Sequence, residues 1–185
     1  MAQLHVVSVH PFRDGNGRVS RIVQSLVLAR EGLLAPELGS IEEYLQRHTE
    51  AYYAALRKVQ GGRYQPDRDA APWIEFCIDA HIDQTKRRLD QIAQAGARWE
   101  FLESLVERRD WPDRLVIALE QSLFQGVDRA SYTAEAGISD PTASTDLRRL
   151  LDAGLVERQN RGRTTRYVAS PQLRADVQQS VSQTG

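Results

Sequence analysis

Apolar positions recur at helical intervals through most of this chain. Between residues 21 and 34 they fall at Ile22, Val23, Leu26, Val27 and Leu28, a spacing of three to four rather than two, and Gly32 follows as a C-cap. That pattern predicts a first helix. After Pro36 and Gly39, Ser40 with Glu42 and Glu43 marks a helix start, and Ile41, Tyr44, Leu45, His48, Tyr52, Ala55, Leu56 and Val59 continue one face as far as Gly61 and Gly62. A polar stretch from Arg63 to Asp69 leads to a third helix that begins at Pro72 and carries Trp73, Phe76, Cys77, Ala80, Ile82 and Leu89 toward Gln94. Gly96 suggests a joint, and an amphipathic piece from Arg98 through Trp99, Leu102, Leu105 and Val106 runs to Trp111-Pro112, where the chain must bend. No strand-like alternation precedes residue 154. Beyond Pro112, three short helical segments lead to two β-like runs, 154–158 and 164–168, around Gln159, Asn160, Arg161, Gly162 and Arg163. A polar tail from Arg174 reads as a frayed end.

The expected fold is therefore mainly α, organised as a helical domain over 1–95, a helical linker over 96–111 and a small domain of helices with a β-hairpin over 112–185. Composition narrows the function classes. With 24 Lys plus Arg against 25 Asp plus Glu, a net charge of -1 and 41% hydrophobic residues, this is ordinary globular sequence, neither disordered nor collagen-like. The single Cys77 forms no internal disulfide, and no Cys/His cluster has zinc-ligand spacing. There is no apolar run long enough for a membrane span and no signal-peptide pattern at the amino terminus, so a cytoplasmic protein with no membrane partner is expected.

The densest chemical signal is His10-Pro11-Phe12-Arg13-Asp14-Gly15-Asn16-Gly17-Arg18-Val19-Ser20-Arg21. Gly15 and Gly17 let the backbone approach an anion, Asn16 offers amide donors, and the free N–H groups of the helix that follows add positive potential, so the loop reads as a phosphate cradle. Arg18 and Arg21 lie i, i+3 and can neutralise polyphosphate together. Asp14 is a lone carboxylate beside that cradle, the arrangement that holds Mg²⁺ with phosphates and water. His10 remains as the proton acceptor. Taken singly, loop glycines are ordinary turn residues and arginine pairs at helix starts are ordinarily solvated; it is their grouping that points to a nucleotide. Phe12 is expected to anchor the loop in the core, Pro11 to stiffen it and Arg13 to be solvated. His5, His48 and His81 read as packing or surface residues.

As a whole, this segment resembles the signature of the Fic family: histidine, any residue, phenylalanine, any residue, an acid, Gly-Asn-Gly-Arg, and a second arginine three later. Every defining position matches. Leu4-His5, Tyr52-Tyr53-Ala54-Ala55-Leu56 and Trp73-Ile74-Glu75-Phe76 are similar to segments around the motif in family members, so the resemblance covers residues 1–95. It implies a protein adenylyltransferase that moves AMP from ATP to a Ser, Thr or Tyr hydroxyl of a target protein. By that resemblance His10 is the catalytic base and Asp14 holds Mg²⁺. Gly15, Asn16 and Gly17 cradle the phosphates, Arg18 and Arg21 bind the β- and γ-phosphates, and Tyr52 and Tyr53 line the adenine pocket. A kinase subgroup carries Ala-Asn-Lys where this chain has Gly15-Asn16-Gly17. Family cores place several helices and a β-hairpin flap before the motif, whereas nine residues precede His10 here. The chain is thus expected to be the carboxy-terminal part of a longer protein, and its activity alone to be compromised. No Ser/Thr-x-x-x-Glu-Gly/Asn inhibitory segment is found, since Val27 precedes Glu31-Gly32.

Residues 132–156 have the form of a helix-turn-helix. Gly137 permits the turn, Ser139 or Asp140 caps a second helix begun by Pro141, and Ala143, Leu147, Leu150 and Leu151 face inward. Thr142, Ser144, Thr145, Arg148 and Arg149 are left outside. The hairpin that follows carries Arg158, Arg161, Arg163 and Arg166 against Glu157, so the segment resembles a winged helix-turn-helix with DNA-binding residues on the second helix and at Arg161 and Arg163. Such modules also dock proteins or dimerise, and residues 111–185 hold as many arginines as acids. The expected function is an ATP- and Mg²⁺-dependent protein adenylyltransferase whose second domain binds DNA or a partner. The alternative is a nucleotide-sensing DNA-binding transcriptional regulator with little or no transferase activity. A homodimer would follow from a symmetric DNA site.

Overall fold

A computed structural model describes residues 1–32, 40–61, 65, 67–161 and 164–184, with the backbone alone at 160, 161, 164 and 184. Leu33, Leu34, Pro36, Gly39, Gly62, Arg63, Gly162 and Arg163 lie outside the described residues, as does the side chain of Arg161. The chain divides into two compact units, Met1–Leu89 and Asp90–Gly185.

The first unit opens with a helix that the hydrophobic pattern did not suggest, α1 (Ala2–Val9), which ends at His10 in the left-handed region, φ 54°. Gly15, at φ 82°, starts α2 (Asn16–Arg30), so the motif loop is a short link between two packed helices. The second expected helix is broken in two, α3 (Glu42–Arg47) and α4 (Thr49–Gln60), at His48. The Thr49 hydroxyl donates to the carbonyls of Leu45 and Gln46, both at 3.0 Å, which satisfies acceptors freed at the break. The third helix, α5 (Ala71–Glu107), is much longer than its pattern implied. It runs through Gly96 without interruption.

Leu4, Ile41, Leu45, Tyr52, Leu56, Val59, Trp73 and Ala80 form the core of the first unit. Aromatic rings carry much of it: Tyr52 meets Trp73 edge-on with centroids 5.8 Å apart, and Trp73 stacks on Phe76 at 6.0 Å. The apolar stripe that identified α2 is not part of this core. Ile22, Leu26 and Val27 stay exposed, while the residues α2 buries are Asn16 and Ser20. Phe12 likewise does not anchor the loop, being 51% exposed. The anchor is Asn16, because its carboxamide pairs with both main-chain groups of Phe12 and makes a side-chain anchor unnecessary.

The second unit takes α5 from Asp90 onward, then α6 (Leu115–Phe124), α7 (Arg129–Ala136) and α8 (Asp140–Asp152). Strands β1 (Val156–Arg161) and β2 (Thr164–Ala169) pair antiparallel, with Val156 opposite Ala169 and Arg158 opposite Tyr167. The stretch expected as a helical linker is helix as far as Glu107, and its Leu102, Leu105 and Val106 lie in the second core with Leu119, Tyr132, Leu147 and Leu150. Local signals set the helix ends. Asp128 and Ser131 form a reciprocal cap on α7, Gly137 turns the chain at φ 64°, and the Ser139 hydroxyl accepts from the Thr142 N–H. Helices followed by a hairpin make this a winged helix-turn-helix arrangement. The tail expected to fray is instead α9 (Pro171–Thr184), because Leu173 and Val177, four residues apart, are buried in the same core.

Candidate functional site

Within the first unit, one open cleft of about 640 Å³ is lined by His10, Asp14, Gly15, Asn16, Gly17, Arg18, Arg21, Tyr52 and Tyr53, together with Val7, Ser8, Arg13, Leu56, Arg57 and Gln60. All nine residues singled out in the amino-terminal sequence therefore line one cleft. The motif loop is held from within. The Phe12 N–H donates to Asn16 Oδ1 at 2.9 Å, and Asn16 Nδ2 donates to the Phe12 carbonyl at 2.6 Å. Asn16 is 4% exposed, so these two bonds consume the carboxamide that sequence reasoning had offered to phosphate. What remains for an anion is main chain: the N–H groups of Asn16, Gly17 and Arg18 form the first turn of α2 and have no acceptor within the helix.

His10 lies at the end of α1, where its Nδ1–H donates to the Val7 carbonyl at 2.8 Å. A carbonyl only accepts, so Nδ1 carries the ring proton of the neutral imidazole and Nε2 carries the lone pair. Asp14 has its side chain 93% exposed; Oδ1 accepts the Gly15 N–H at 2.6 Å and Oδ2 lies 3.5 Å from an Arg18 nitrogen. Arg21 is held differently. Its Nε and one terminal nitrogen both donate to Glu42 Oε1, at 3.0 and 2.7 Å. The other terminal nitrogen sits 3.3 Å from where a Cβ on Gly17 would be, so the glycine makes room for the guanidinium. Tyr52 is buried and Tyr53 is 53% exposed, their rings meeting edge-on at 5.1 Å. Burial pushes the Tyr52 hydroxyl pKa up, with the positive charge of Arg21 acting the other way.

Six lining residues were not among the sequence candidates, the apolar Val7 and Leu56 and the polar Ser8, Arg13, Arg57 and Gln60. Arg57 and Gln60 follow Tyr53 by four and seven positions, the same face of α4, and that periodicity was the signal available for them. Gln60 donates to the Ser8 hydroxyl at 2.6 Å, which in turn donates to the Leu4 carbonyl at 2.6 Å, joining the ends of α4 and α1.

The Fic/DOC family profile matches residues 1–28, which contain the whole loop and its two helix junctions. In its amino-terminal part the chain is similar to the Fic family. Individual relatives extend the similarity further along the chain. "Protein adenylyltransferase fic-1" of Caenorhabditis elegans is 33% identical over 97 residues, 52% of this chain and 18% of the relative. "Protein adenylyltransferase Fic" of Aedes aegypti is 30% identical over 113 residues, 61% of this chain and 19% of the relative. A "Probable protein adenylyltransferase" of Aquifex aeolicus is 40% identical over 52 residues. The chain thus spans less than a fifth of the curated relatives it matches. A solved structure described as a MarR family transcriptional regulator from Rhodococcus sp. RHA1 aligns over 56% of this chain and 74% of that one, at 22% identity and a TM-score of 0.32, too low to carry an argument.

The cleft belongs to the first unit, and the remaining candidates belong to the second. On α8, Ser144, Thr145, Arg148 and Arg149 are exposed and Thr142 is half-buried. The hydroxyls of Ser144 and Thr145 donate back to the Asp140 and Pro141 carbonyls. Arg166 is not a free wing charge: it donates to the Gln125 carbonyl at 3.0 Å and faces Asp128 at 3.8 Å. Beneath α8, Asp146 is 1% exposed and accepts from Arg114 through both oxygens, at 2.7 and 3.2 Å, and from the Tyr132 hydroxyl at 3.1 Å. Among the described residues no helix is long and apolar enough to cross a membrane.

Proposed function

We propose that the amino-terminal unit transfers AMP from ATP to a Ser, Thr or Tyr hydroxyl of a target protein. The observation that carries this reading is the hydrogen bond between His10 Nδ1 and the Val7 carbonyl. That bond commits the Nδ1–H, which leaves Nε2 as the basic nitrogen of a ring that lines the cleft. In the reaction the target oxygen attacks the α-phosphorus while its proton passes to His10 Nε2. The bond from the α-phosphorus to the bridging β-oxygen breaks, and pyrophosphate leaves. The main-chain N–H groups of Asn16, Gly17 and Arg18 receive phosphate oxygens, with Arg18 and Arg21 on the β- and γ-phosphates. The exposed ring of Tyr53, backed by Tyr52, offers a face to adenine.

Asp14 fits Mg²⁺ as a lone, exposed carboxylate, since this cation is commonly held by one protein oxygen, substrate phosphates and water. Among the described residues no group of three or more His, Cys, Asp or Glu side chains that could hold a metal ion is found. The metal would offset negative charge between the phosphates.

The reading is tested by incubating the protein, wild type and His10→Ala, with a cell lysate, Mg²⁺ and ATP labelled at the α- or the γ-phosphate. Protein-bound α-label that disappears in the variant is the expected result; label from the γ-position alone would make the protein a kinase. If neither label moves, the nucleotide-sensing regulator becomes the better reading.

For the carboxy-terminal unit we propose DNA binding, supported by the exposed Arg148 and Arg149 on the outer face of α8. A bidentate contact from either to a base is worth roughly 1–3 kcal/mol of discrimination. Arg148→Ala is therefore expected to weaken an operator complex more than a random-sequence complex, and absence of any salt-sensitive DNA complex would overturn the assignment.

A further inference from the structure

We propose that the cleft selects its protein target by charge, with Arg13 and Arg57 holding acidic side chains beside the hydroxyl that His10 deprotonates. The inference rests on the transferase reading and adds the class of substrate: a hydroxyl residue with Asp or Glu within a few positions of it.

The four arginines of the cleft divide by what they touch. Arg18 lies against Asp14, and Arg21 is locked to Glu42. These are also the two on the first turns of α2, beside the main-chain cradle. Arg13 and Arg57 are exposed, line the same cleft, and meet no acceptor among the described residues. Four guanidinium groups against the carboxylates of Asp14 and Glu42 leave a net charge of +2 at the cleft, carried by Arg13 and Arg57.

Their placement gives that surplus a role. Arg13 is three residues from His10 in the motif loop. Arg57 stands on α4 one turn before Gln60, whose bond to Ser8 ties that end of α4 to the end of α1, two residues before His10. Both therefore belong to the side of the cleft that carries the base. A target hydroxyl presented to His10 brings its flanking residues to these two guanidinium groups. Carboxylates are the side chains that satisfy them, through charge-assisted and often bidentate hydrogen bonds.

The test uses the whole chain and fluorescein-labelled heptapeptides with a central tyrosine flanked by glutamates, or by glutamines. Binding is read by anisotropy in the presence of Mg²⁺ and a non-hydrolysable ATP analogue. The glutamate peptide is expected to bind about tenfold more tightly than the glutamine peptide, with the difference shrinking in high salt. Arg13→Ala with Arg57→Ala should abolish the difference and leave affinity for the ATP analogue within about twofold of wild type, while Arg57→Lys retains part of it. Equal binding of the two peptides, or none by either, overturns the proposal. So does an Arg57→Ala protein that loses the ATP analogue as Arg18→Ala does, since that would give Arg57 to the nucleotide. Transfer of α-label to both peptides at equal rates would refute target selection and leave the transferase intact. Arginine-dependent binding of the glutamate peptide with no label transferred to any protein would refute the transferase and leave acidic recognition standing.

Discussion

Arg21 and Glu42 share one carboxylate oxygen: Oε1 of Glu42 accepts from both the Nε and a terminal nitrogen of Arg21, although the residues are twenty-one positions apart. A polyphosphate that uses Arg21 meets the competition of that carboxylate. The pair is only partly shielded, with side-chain exposures of 25% for Arg21 and 53% for Glu42, so its strength is at most about 1 kcal/mol. Glu42→Gln is therefore expected to tighten inorganic tripolyphosphate by about two- to fivefold in titration calorimetry. Weaker binding by this variant would mean instead that Glu42 holds Arg21 in its working position.

Asn16 determines whether the motif loop keeps its shape. Replacing it with Ala removes two hydrogen bonds to Phe12 at a site that is nearly inaccessible to solvent. The expected loss is about 1–3 kcal/mol in urea unfolding, with weaker nucleotide binding as a consequence rather than a cause. Asn16→Asp keeps the acceptor for the Phe12 N–H but loses the donor to its carbonyl, so it should show an intermediate stability.

The polar cluster beneath α8 predicts a sharper effect. Asp146→Ala leaves the Tyr132 hydroxyl and the Arg114 guanidinium without their carboxylate partner. Arg114 retains some access to water, which moderates the cost to about 2–3 kcal/mol. Burial and the Asp146 carboxylate both push the Tyr132 pKa upward, so its hydroxyl stays protonated and available as a donor. Tyr132→Phe should cost less, about 1 kcal/mol, and melting of the two variants against wild type checks the order.

His81 gives the first unit a pH-dependent stability. Burial lowers its pKa below the ordinary 6.5, and its ring nitrogen Nε2 lies 3.2 Å from the Gln24 amide nitrogen. The unfolded chain therefore takes up a proton near pH 6.5 while the folded chain does not, so stability is fullest above that pH and declines as the pH falls through it. His81→Gln should flatten the slope of unfolding free energy between about pH 5 and 7. An unchanged slope would place the proton elsewhere.

How much of this was legible in the sequence depended on whether a single position carried its own reason. The turn of the helix-turn-helix did: Gly137, and Ser139 before Pro141, act over three or four residues, and the structure has them where local chemistry puts them. The inward face of α8 followed from period alone. Expectations failed where long-range packing decides. Ile22, Leu26 and Val27 have a helical period that identifies α2 without saying that this face is exposed. Gly96 looks like a joint, yet α5 runs through it, and the polar tail hides Leu173 and Val177 among glutamines. Within the cleft the motif residues come together, and the Asn16 carboxamide is bonded to Phe12, because composition cannot distinguish an asparagine aimed at a ligand from one bonded to its own loop.

The Asn16 latch bears on timing. It joins the loop to itself and draws nothing from a bound molecule, so the cradle is shaped before any nucleotide arrives. A docking nucleotide then has little chain ordering to drive, and capture is governed by encounter. Under the proposed transferase function, discrimination among nucleotides would then fall to residence time, with the wrong base entering as fast as the right one and leaving sooner.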